Sequence, residues 1–164
     1  MTPVSRFAAL LSILMFTGGC DAVSDVVDGA ACSATGYADS GTVSATVGGS
    51  RYSTPCVRVE VESGVLTIAS IDDVVSDNDQ RLLAVTAPNE VGTFEVGETT
   101  AGGVYTVRAA DTSQQAEQTF ASTSGRVTVT SVTDTSAEGT FSFVGQVPSG
   151  DQIDIVNGSF DVTF

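Results

Sequence analysis

The sequence predicts an all-β protein, either an antiparallel β-sandwich or a flattened barrel of about eight to ten strands. Segment after segment shows apolar and polar residues alternating with a period of two, which is the pattern of half-buried strands. Turn-forming Gly, Asn and Asp residues interrupt these segments at close spacing. The predicted domain carries no sustained helical stripe of apolar residues, so a helical fold is not expected.

The first half of the domain begins with weak strand signals and continues with strong ones. Val57, Val59 and Val61 alternate with charged residues, and a Ser63-Gly64 turn predicts a hairpin with the segment that follows. The predicted strands are 42–47, a weak segment near 51–53, 57–62, 65–71 and 81–87, the last ended by Pro88-Asn89.

The second half repeats the alternation with short connections. Glycines bound the segment at 93–96 and precede the one at 104–109, and a turn at 134–136 joins two strongly alternating segments. The chain ends on Phe164, an apolar residue, which predicts a paired carboxyl-terminal strand rather than a tail. The predicted strands are 93–96, 104–109, 126–132, 139–144, 153–156 and 159–164.

The alternation also predicts which side chains face the core. The expected core residues are Val57, Val59, Val61, Leu66, Ile68, Leu83, Val85, Phe94, Tyr105, Val107, Val127, Val129, Phe141, Phe143, Phe160 and Val162. The expected solvent-facing residues between them include Thr128, Thr130, Thr140, Ser142, Asp161 and Thr163.

The amino-terminal residues have the pattern of an export signal. Arg6 precedes the apolar run 7–16, which is too short to cross a hydrocarbon core of about 30 Å as a helix. Residues 17–20 (TGGC) follow, and small residues before a Cys at this position resemble the lipobox of bacterial lipoproteins. The resemblance implies cleavage before Cys20, a diacylglyceryl thioether on its sulfur and an amino terminus acylated by a palmitate-type chain.

These features divide the chain into a signal peptide at 1–19, a lipidated acidic tether at 20–38 and a β-sandwich domain at 39–164. Multiple acyl chains give firm attachment, at about 0.8 kcal/mol for each buried CH₂ group. The expected partner is therefore the lipid bilayer, reached through acylated Cys20. The expected location is the bacterial cell envelope, at the outer membrane rather than the inner, with the domain in the periplasm or on the cell surface. A plain secretory signal with an incidental Cys is the alternative.

The cysteine count predicts a disulfide. Three Cys residues are present, and lipidation of Cys20 leaves the pair Cys32 and Cys56 in an oxidising compartment. Closing a loop of this length stabilises a fold by about 3–4 kcal/mol in the chain-entropy model. A thiol metal site or a redox pair is less favoured, because the chain has no His and the spacing differs from Cys-x-x-Cys.

The composition excludes several classes of function. The chain has 164 residues, a formal net charge of −14, and no His, Lys or Trp. A charge this negative repels nucleic-acid phosphates, so no nucleic-acid partner is expected. Without His or Lys, the common nucleophile–base pairs and Schiff-base chemistry are missing, so a non-catalytic protein is predicted.

Three carboxyl-terminal segments resemble a signature of a family of small β-rich lipoproteins of unknown function from Gram-negative bacteria. They are 125–131 (GRVTVTS), 138–143 (EGTFSF) and 156–162 (VNGSFDV), and 45–52 (ATVGGSRY) is similar to the family's opening strand and turn. The resemblance covers residues 41–164 and implies a β-sandwich-like domain on a lipid anchor, with no established activity. Its Phe positions look like core residues, and Asn157-Gly158 looks like a turn pair that tolerates positive φ.

An acidic segment, IDDVVSDNDQ, is expected to form a loop between two strands, and its oxygen-bearing side chains could bind Ca²⁺. The Gly and the closing Glu of a helix-loop-helix calcium site are missing, so a solvated acidic loop is favoured and no other cofactor is expected. The four candidate ligands are Asp72, Asp73, Asp77 and Asp79.

Two functional interpretations remain. The first is a non-catalytic, lipid-anchored envelope module that binds a protein or glycan partner or serves as a structural surface component. The second is a module that captures calcium or an oligosaccharide for an uptake or degradation system. Tyr37, Tyr52 and Tyr105 could stack on sugar rings, although packing is the favoured role for each. A partner's strand could also pair with an exposed strand edge.

Overall fold

The computed structural model describes residues 32, 36–74, 79–97, 100–108 and 117–164, and these residues form nine strands. Neighbouring strands are all antiparallel, which confirms the predicted all-β class. The strands are β1 (Ala38–Val47), β2 (Ser50–Glu62), β3 (Val65–Val74), β4 (Asp79–Pro88), β5 (Gly92–Glu95), β6 (Gly102–Arg108), β7 (Glu117–Val132), β8 (Ser136–Gln146) and β9 (Gln152–Thr163).

The sheet closes into a barrel. Its order is β5-β7-β6-β4-β3-β2-β1-β9-β8, and a further β7–β8 ladder joins the last strand to the second. All strands except β5 therefore form a closed up-and-down barrel in chain order. The short strand β5 pairs with Arg126–Val129 of β7, while β6 pairs with Glu117–Ala121 of the same strand. Of the two predicted architectures, the structure adopts the barrel.

The barrel has two ends, which we call proximal and distal. At the proximal end β1 begins, β9 ends, and the connections at 63–64 and 133–135 reverse the chain. At the distal end lie the β1–β2 turn at 48–49 and the β8–β9 loop at 147–151. The chain therefore enters and leaves the barrel at the same end.

Inward-facing side chains fill the barrel, and most of the predicted core residues are buried. Val59, Phe94 and Val107 are only partly buried against the core. The prediction for Val61 is wrong, because its side chain is 41% exposed. The β2–β3 hairpin runs past the start of β1, which pairs no further along β2 than Val57, so none of the nine described strands covers Val61 on that side. Phe164 is also exposed at 40%, although its N–H donates to the Thr135 carbonyl.

Aromatic rings inside the narrow barrel pack over glycines of neighbouring strands. The β8–β9 ladder pairs Gly139 with Phe160 and Phe141 with Gly158, so each strand supplies one ring and one glycine. A Cβ added to Gly139 would lie 2.4 Å from Phe160 Cζ, and one added to Gly158 would lie 2.3 Å from Phe141 Cε2. These residues belong to the segments that carry the family resemblance, and their role is to let large rings fit an eight-stranded interior.

Several strand boundaries differ from the sequence-based expectation. β2 is continuous across Pro55, and β7 begins at Glu117, well before the predicted start. β9 is continuous through Asn157-Gly158, so the expected turn pair is instead a bulge inside a strand. Asn157 has the positive φ expected of it, +53°, and its extra residue shifts the register against both β1 and β8.

Candidate functional site

The barrel wall separates along two lines at its distal end. The β2–β3 ladder stops at the Val57–Ser70 pair, although β2 extends back to Ser50 and β3 continues to Val74. The β7–β8 ladder likewise stops at Ala121–Gln146, although β7 begins at Glu117. We call these two lines the β2–β3 seam and the β7–β8 seam.

Hydroxyl groups bridge the β2–β3 seam. Tyr52 Oη lies 2.9 Å from Ser70 Oγ, and Ser70 Oγ donates to the Leu83 carbonyl oxygen at 3.0 Å. Because that donation uses the only Ser70 hydroxyl proton, Tyr52 is the donor to Ser70. Thr54 Oγ1 donates to the Ile71 carbonyl oxygen at 2.6 Å, which links β2 directly to the part of β3 that no longer pairs with β2.

Burial holds Tyr52 in its neutral form. Its side chain is fully buried, and this desolvation raises the pKa of the phenol well above its usual range. The Ser70 hydrogen bond acts in the opposite direction but is the smaller effect. The phenol therefore keeps its proton for the bond across the seam.

An ion pair completes the bridge. Asp72 and Arg81 face each other across the β3–β4 ladder, and the Arg81 guanidinium binds the Asp72 carboxylate. Arg81 also donates from Nη1 to the Arg51 carbonyl oxygen on β2 at 3.2 Å, and its guanidinium lies 5.5 Å from the centre of the Tyr52 ring. Both side chains of the pair are 19% exposed, and Arg81 Nε is buried without a hydrogen-bond partner among the described residues.

The β7–β8 seam is open by contrast. It forms a groove of about 800 Å³ between the start of β7 and the loop that follows β8. The lining residues are Glu117, Gln118, Thr119, Ala121 and Thr123 of β7, with Gln146, Val147, Pro148 and Ser149 on the other side. In the part of the chain that the structure describes, no strand pairs with Glu117–Phe120 on the β8 side.

The loop beside the groove satisfies its own hydrogen bonds. The Val147 N–H donates to the Asp151 carbonyl oxygen at 3.0 Å, and the Gly150 N–H donates to the Val147 carbonyl oxygen at 2.9 Å. Gln146 Nε2 donates to the Gly150 carbonyl oxygen at 3.1 Å. The loop is thus a self-contained turn that borders the groove without pairing with β7.

The acidic segment does not form the expected loop. Asp72 and Asp73 lie on β3 and Asp79 lies on β4, paired in register, while Asp77 lies outside the described residues. The strands extend this far because Asp72 finds Arg81 directly opposite, and this contact offsets the low strand preference of Asp. Over the described ranges, no group of three or more Asp, Glu, Cys or His residues could hold a metal.

The other sequence-predicted residues occupy different positions. Cys32 and Cys56 form a disulfide with Cα atoms 5.0 Å apart, as the cysteine count predicts. Tyr52 and Tyr105 are buried, so neither offers a ring face to a sugar, and Tyr37 is half-buried beside β2 and β3. Cys20, the expected lipidation site, lies outside the described residues.

Sequence reasoning missed both the polar bridge and the open groove. A signal for the bridge was present, since Arg81 opens an otherwise apolar segment and Asp72 closes the segment before it. The residues of the groove gave no comparable signal, because 117–124 (EQTFASTS) is mainly polar with one large apolar residue, Phe120.

Comparisons with known proteins identify one family. Neither a comparison with curated proteins nor one with solved structures gave a significant match. The described residues contain no helix that is long and apolar enough to cross a membrane. A family model described as a domain of unknown function, DUF6252, matches residues 39–162, which span all nine described strands except the terminal residues of β1 and β9. The chain therefore belongs to the DUF6252 family.

Proposed function

We propose that this chain is a lipid-anchored, non-catalytic β-barrel of the bacterial cell envelope that acts as a binding or structural surface module through its distal end. One observation carries the proposal: the chain enters the barrel at the proximal end. Gly36 and Ala38 line one small pocket with Thr163 and Phe164. The disulfide joins Cys32 to Cys56 of β2, which lies beside the start of β1. A tether from Cys20 would hold the proximal end toward the bilayer and direct the distal groove away from it.

The interior supports a non-catalytic role. Asp72 is bound by Arg81, and Tyr52 is bound to Ser70, so these polar groups of the described interior are already engaged with each other. The chain has no His or Lys to act as a base or nucleophile beside them. The proposal therefore assigns recognition rather than catalysis to the distal end, and it requires no cofactor.

Capture of calcium or an oligosaccharide has weaker support as the function. Asp72, one of the four proposed calcium ligands, is occupied by Arg81, and two of the three tyrosines are buried. The groove at the β7–β8 seam instead presents a strand edge, which suits a polypeptide better than a sugar.

The intact mass of the protein extracted from native membranes tests the anchor. We expect the mass of a chain that begins at Cys20 and carries acyl chains, with two further alkylations only after reduction. A Cys20→Ser variant is the matched control, and it should lose the acyl mass and leave the membrane fraction while keeping its disulfide. An unmodified chain cleaved at another position would contradict the proposal and leave a secreted domain.

A further inference from the structure

The backbone at the start of β7 is directed into the groove. The Gly103 N–H donates to Ser122 Oγ, so Gly103 directs its backbone groups toward β7. In an antiparallel ladder this direction alternates, so the Tyr105–Phe120 and Val107–Gln118 pairs are the hydrogen-bonded ones. Glu117 and Thr119 therefore direct their N–H and C=O groups to the opposite edge, at the β7–β8 seam.

This edge lacks the features that protect strand edges from pairing. Proteins commonly place Lys, Pro or an inward-pointing charge on an exposed edge. Glu117 is charged, but Arg108 pairs with its carboxylate at 3.1 Å on the outer face, so this charge is partly neutralised. The remaining residues, Gln118, Thr119 and Phe120, include no Pro and no Lys. Within the described residues the edge is therefore unpaired and can accept an incoming strand.

The surroundings of the edge define what kind of strand fits. Val147, Pro148 and Ala121 give the groove an apolar side, while the Asp151 carboxylate lies in the adjacent loop and the Glu117 carboxylate, already paired with Arg108, lies at the rim. The whole chain carries a net charge of −14, so two copies repel each other and a cationic partner is attracted. A second copy is therefore a poor occupant.

From these features we propose that the β7–β8 seam binds an extended, cationic polypeptide segment, which pairs with the edge of Glu117–Phe120 as an added strand and places apolar side chains on Val147 and Pro148. This inference rests on the proposed binding role and specifies its site and the class of its partner. It does not depend on the anchor, so the mass measurement and the following experiment can fail independently.

The test measures peptide binding to the full-length protein, purified in detergent, by fluorescence anisotropy. The probe is a fluorescein-labelled peptide of eight residues in which Val and Arg alternate. One control is the same peptide N-methylated at alternate residues, which keeps every side chain but cannot pair along one edge. The other is the corresponding Val and Glu peptide. We expect each control to bind at least about tenfold more weakly, since each loses several backbone hydrogen bonds or the charge attraction.

A pair of variants at one position tests the site on the protein. Thr119→Pro removes the N–H that faces the groove, at an edge position where Pro is tolerated. Thr119→Val keeps that N–H and is the matched control, because both variants lose the hydroxyl contact with Thr106 Oγ1 at 3.2 Å. We expect about tenfold weaker binding by Thr119→Pro and less than about a twofold change for Thr119→Val.

Three results would overturn the inference: no binding of the Val and Arg peptide, equal binding of its N-methylated form, or equal affinity of the two Thr119 variants. The N-methylated peptide needs no variant, so the inference stays falsifiable if Thr119→Pro fails to fold. Equal binding of the Val and Glu peptide would keep the strand pairing but overturn the cationic partner.

Discussion

The two distal seams both contain strand backbone that has lost its neighbouring strand, but side chains bridge the gap at only one of them. At the β2–β3 seam both strands continue beyond the last pair of their ladder, and at the β7–β8 seam β7 does, which leaves backbone groups without a neighbouring strand on that side. At the β2–β3 seam, Tyr52, Thr54 and Arg81 are long enough or well enough placed to reach the facing strands. At the β7–β8 seam, the groove residues Thr119 and Ala121 are short and exposed. One gap therefore becomes part of the core, and the other stays open as a surface.

The largest expected effect comes from disrupting the β7–β8 ladder in its proximal half, where Gly139 pairs with Val129. In Gly139→Ala, the new Cβ would lie 2.2 Å from the Thr128 carbonyl oxygen on β7 and 2.4 Å from Phe160 Cζ. Relief would require β8 to move away from β7, and we expect a loss of about 3 kcal/mol or more in the free energy of unfolding. Urea titration checks this value.

Gly102→Ala is the matched control for the same chemical change. Its nearest neighbour would be Ser122 Oγ at 3.3 Å, the end of a small side chain that can adjust. We expect a change smaller than about 1 kcal/mol. Equal destabilisation by the two variants would show that the close packing at Gly139 is not what holds the β7–β8 ladder together.

The second-largest expected effect comes from removing the ion pair at the β2–β3 seam. Arg81→Met leaves Asp72 partly buried without its cation and the Arg51 carbonyl without a donor. We expect a loss of about 2–3 kcal/mol, between the values for exposed and fully buried pairs. A double-mutant cycle with Asp72→Asn should show that the two losses are not additive. Strict additivity would contradict the proposed bridge.

The strands that could be predicted are those with one face toward the apolar interior. β8 alternates clearly, since Phe141 and Phe143 point inward between Thr140 and Ser142. The start of β7 could not be predicted, because Phe120 is the only large apolar residue there and the opposite edge faces the groove. Strand prediction from sequence therefore failed where the strand also borders an open site.

Closure of the barrel could not be predicted from local pattern. It depends on pairing between β1 and β9, as in the contact of Ser44 Oγ with Ser159 Oγ at 2.9 Å between residues far apart in the sequence. The position of Asp72 was misjudged for a related reason. Asp disfavours strands on its own, and only the ladder that places Arg81 opposite makes its position favourable.

A smaller effect on stability is expected from the Tyr52 hydroxyl alone. Tyr52→Phe removes the hydrogen bond to Ser70, and we expect the free energy of unfolding to fall by about 1 kcal/mol at neutral pH. Burial raises the pKa of Tyr52 above the ordinary 10.0, so its contribution to stability is complete below pH 10. That contribution falls as pH rises toward the folded-state pKa, because only the unfolded chain then releases the proton.

Unfolding by urea at neutral and alkaline pH measures this difference. Between about pH 10 and 11 the free energy of unfolding of the wild type should fall by up to about 1.4 kcal/mol relative to that of Tyr52→Phe. The stabilities of the two proteins should therefore converge or cross. Tyr37→Phe, outside the bridge, is the control for losing a tyrosine. A constant gap between wild type and Tyr52→Phe across this range would mean that the buried phenol does not set the pH dependence.

The smallest expected effect is that of salt on the melting temperature, which should act on the exposed charges of the barrel more than on the partly buried charges of the β2–β3 seam. The chain has 20 acidic and 6 basic side chains, and the β8–β9 ladder places exposed Glu138 directly opposite Asp161. Salt screens such repulsion but affects the partly buried Arg81–Asp72 pair less, so the melting temperature should rise by about 3 °C or more as salt increases to about 0.5 M.

Glu138→Gln should melt at a higher temperature than the wild type at low salt and respond less to added salt, because one repulsive pair is already gone. Peptide binding at the β7–β8 seam should weaken over the same range, since its acidic groups are exposed. A flat or falling melting curve would show that repulsion between surface carboxylates does not limit the stability of this barrel, and that the acidic surface must be explained by what it attracts.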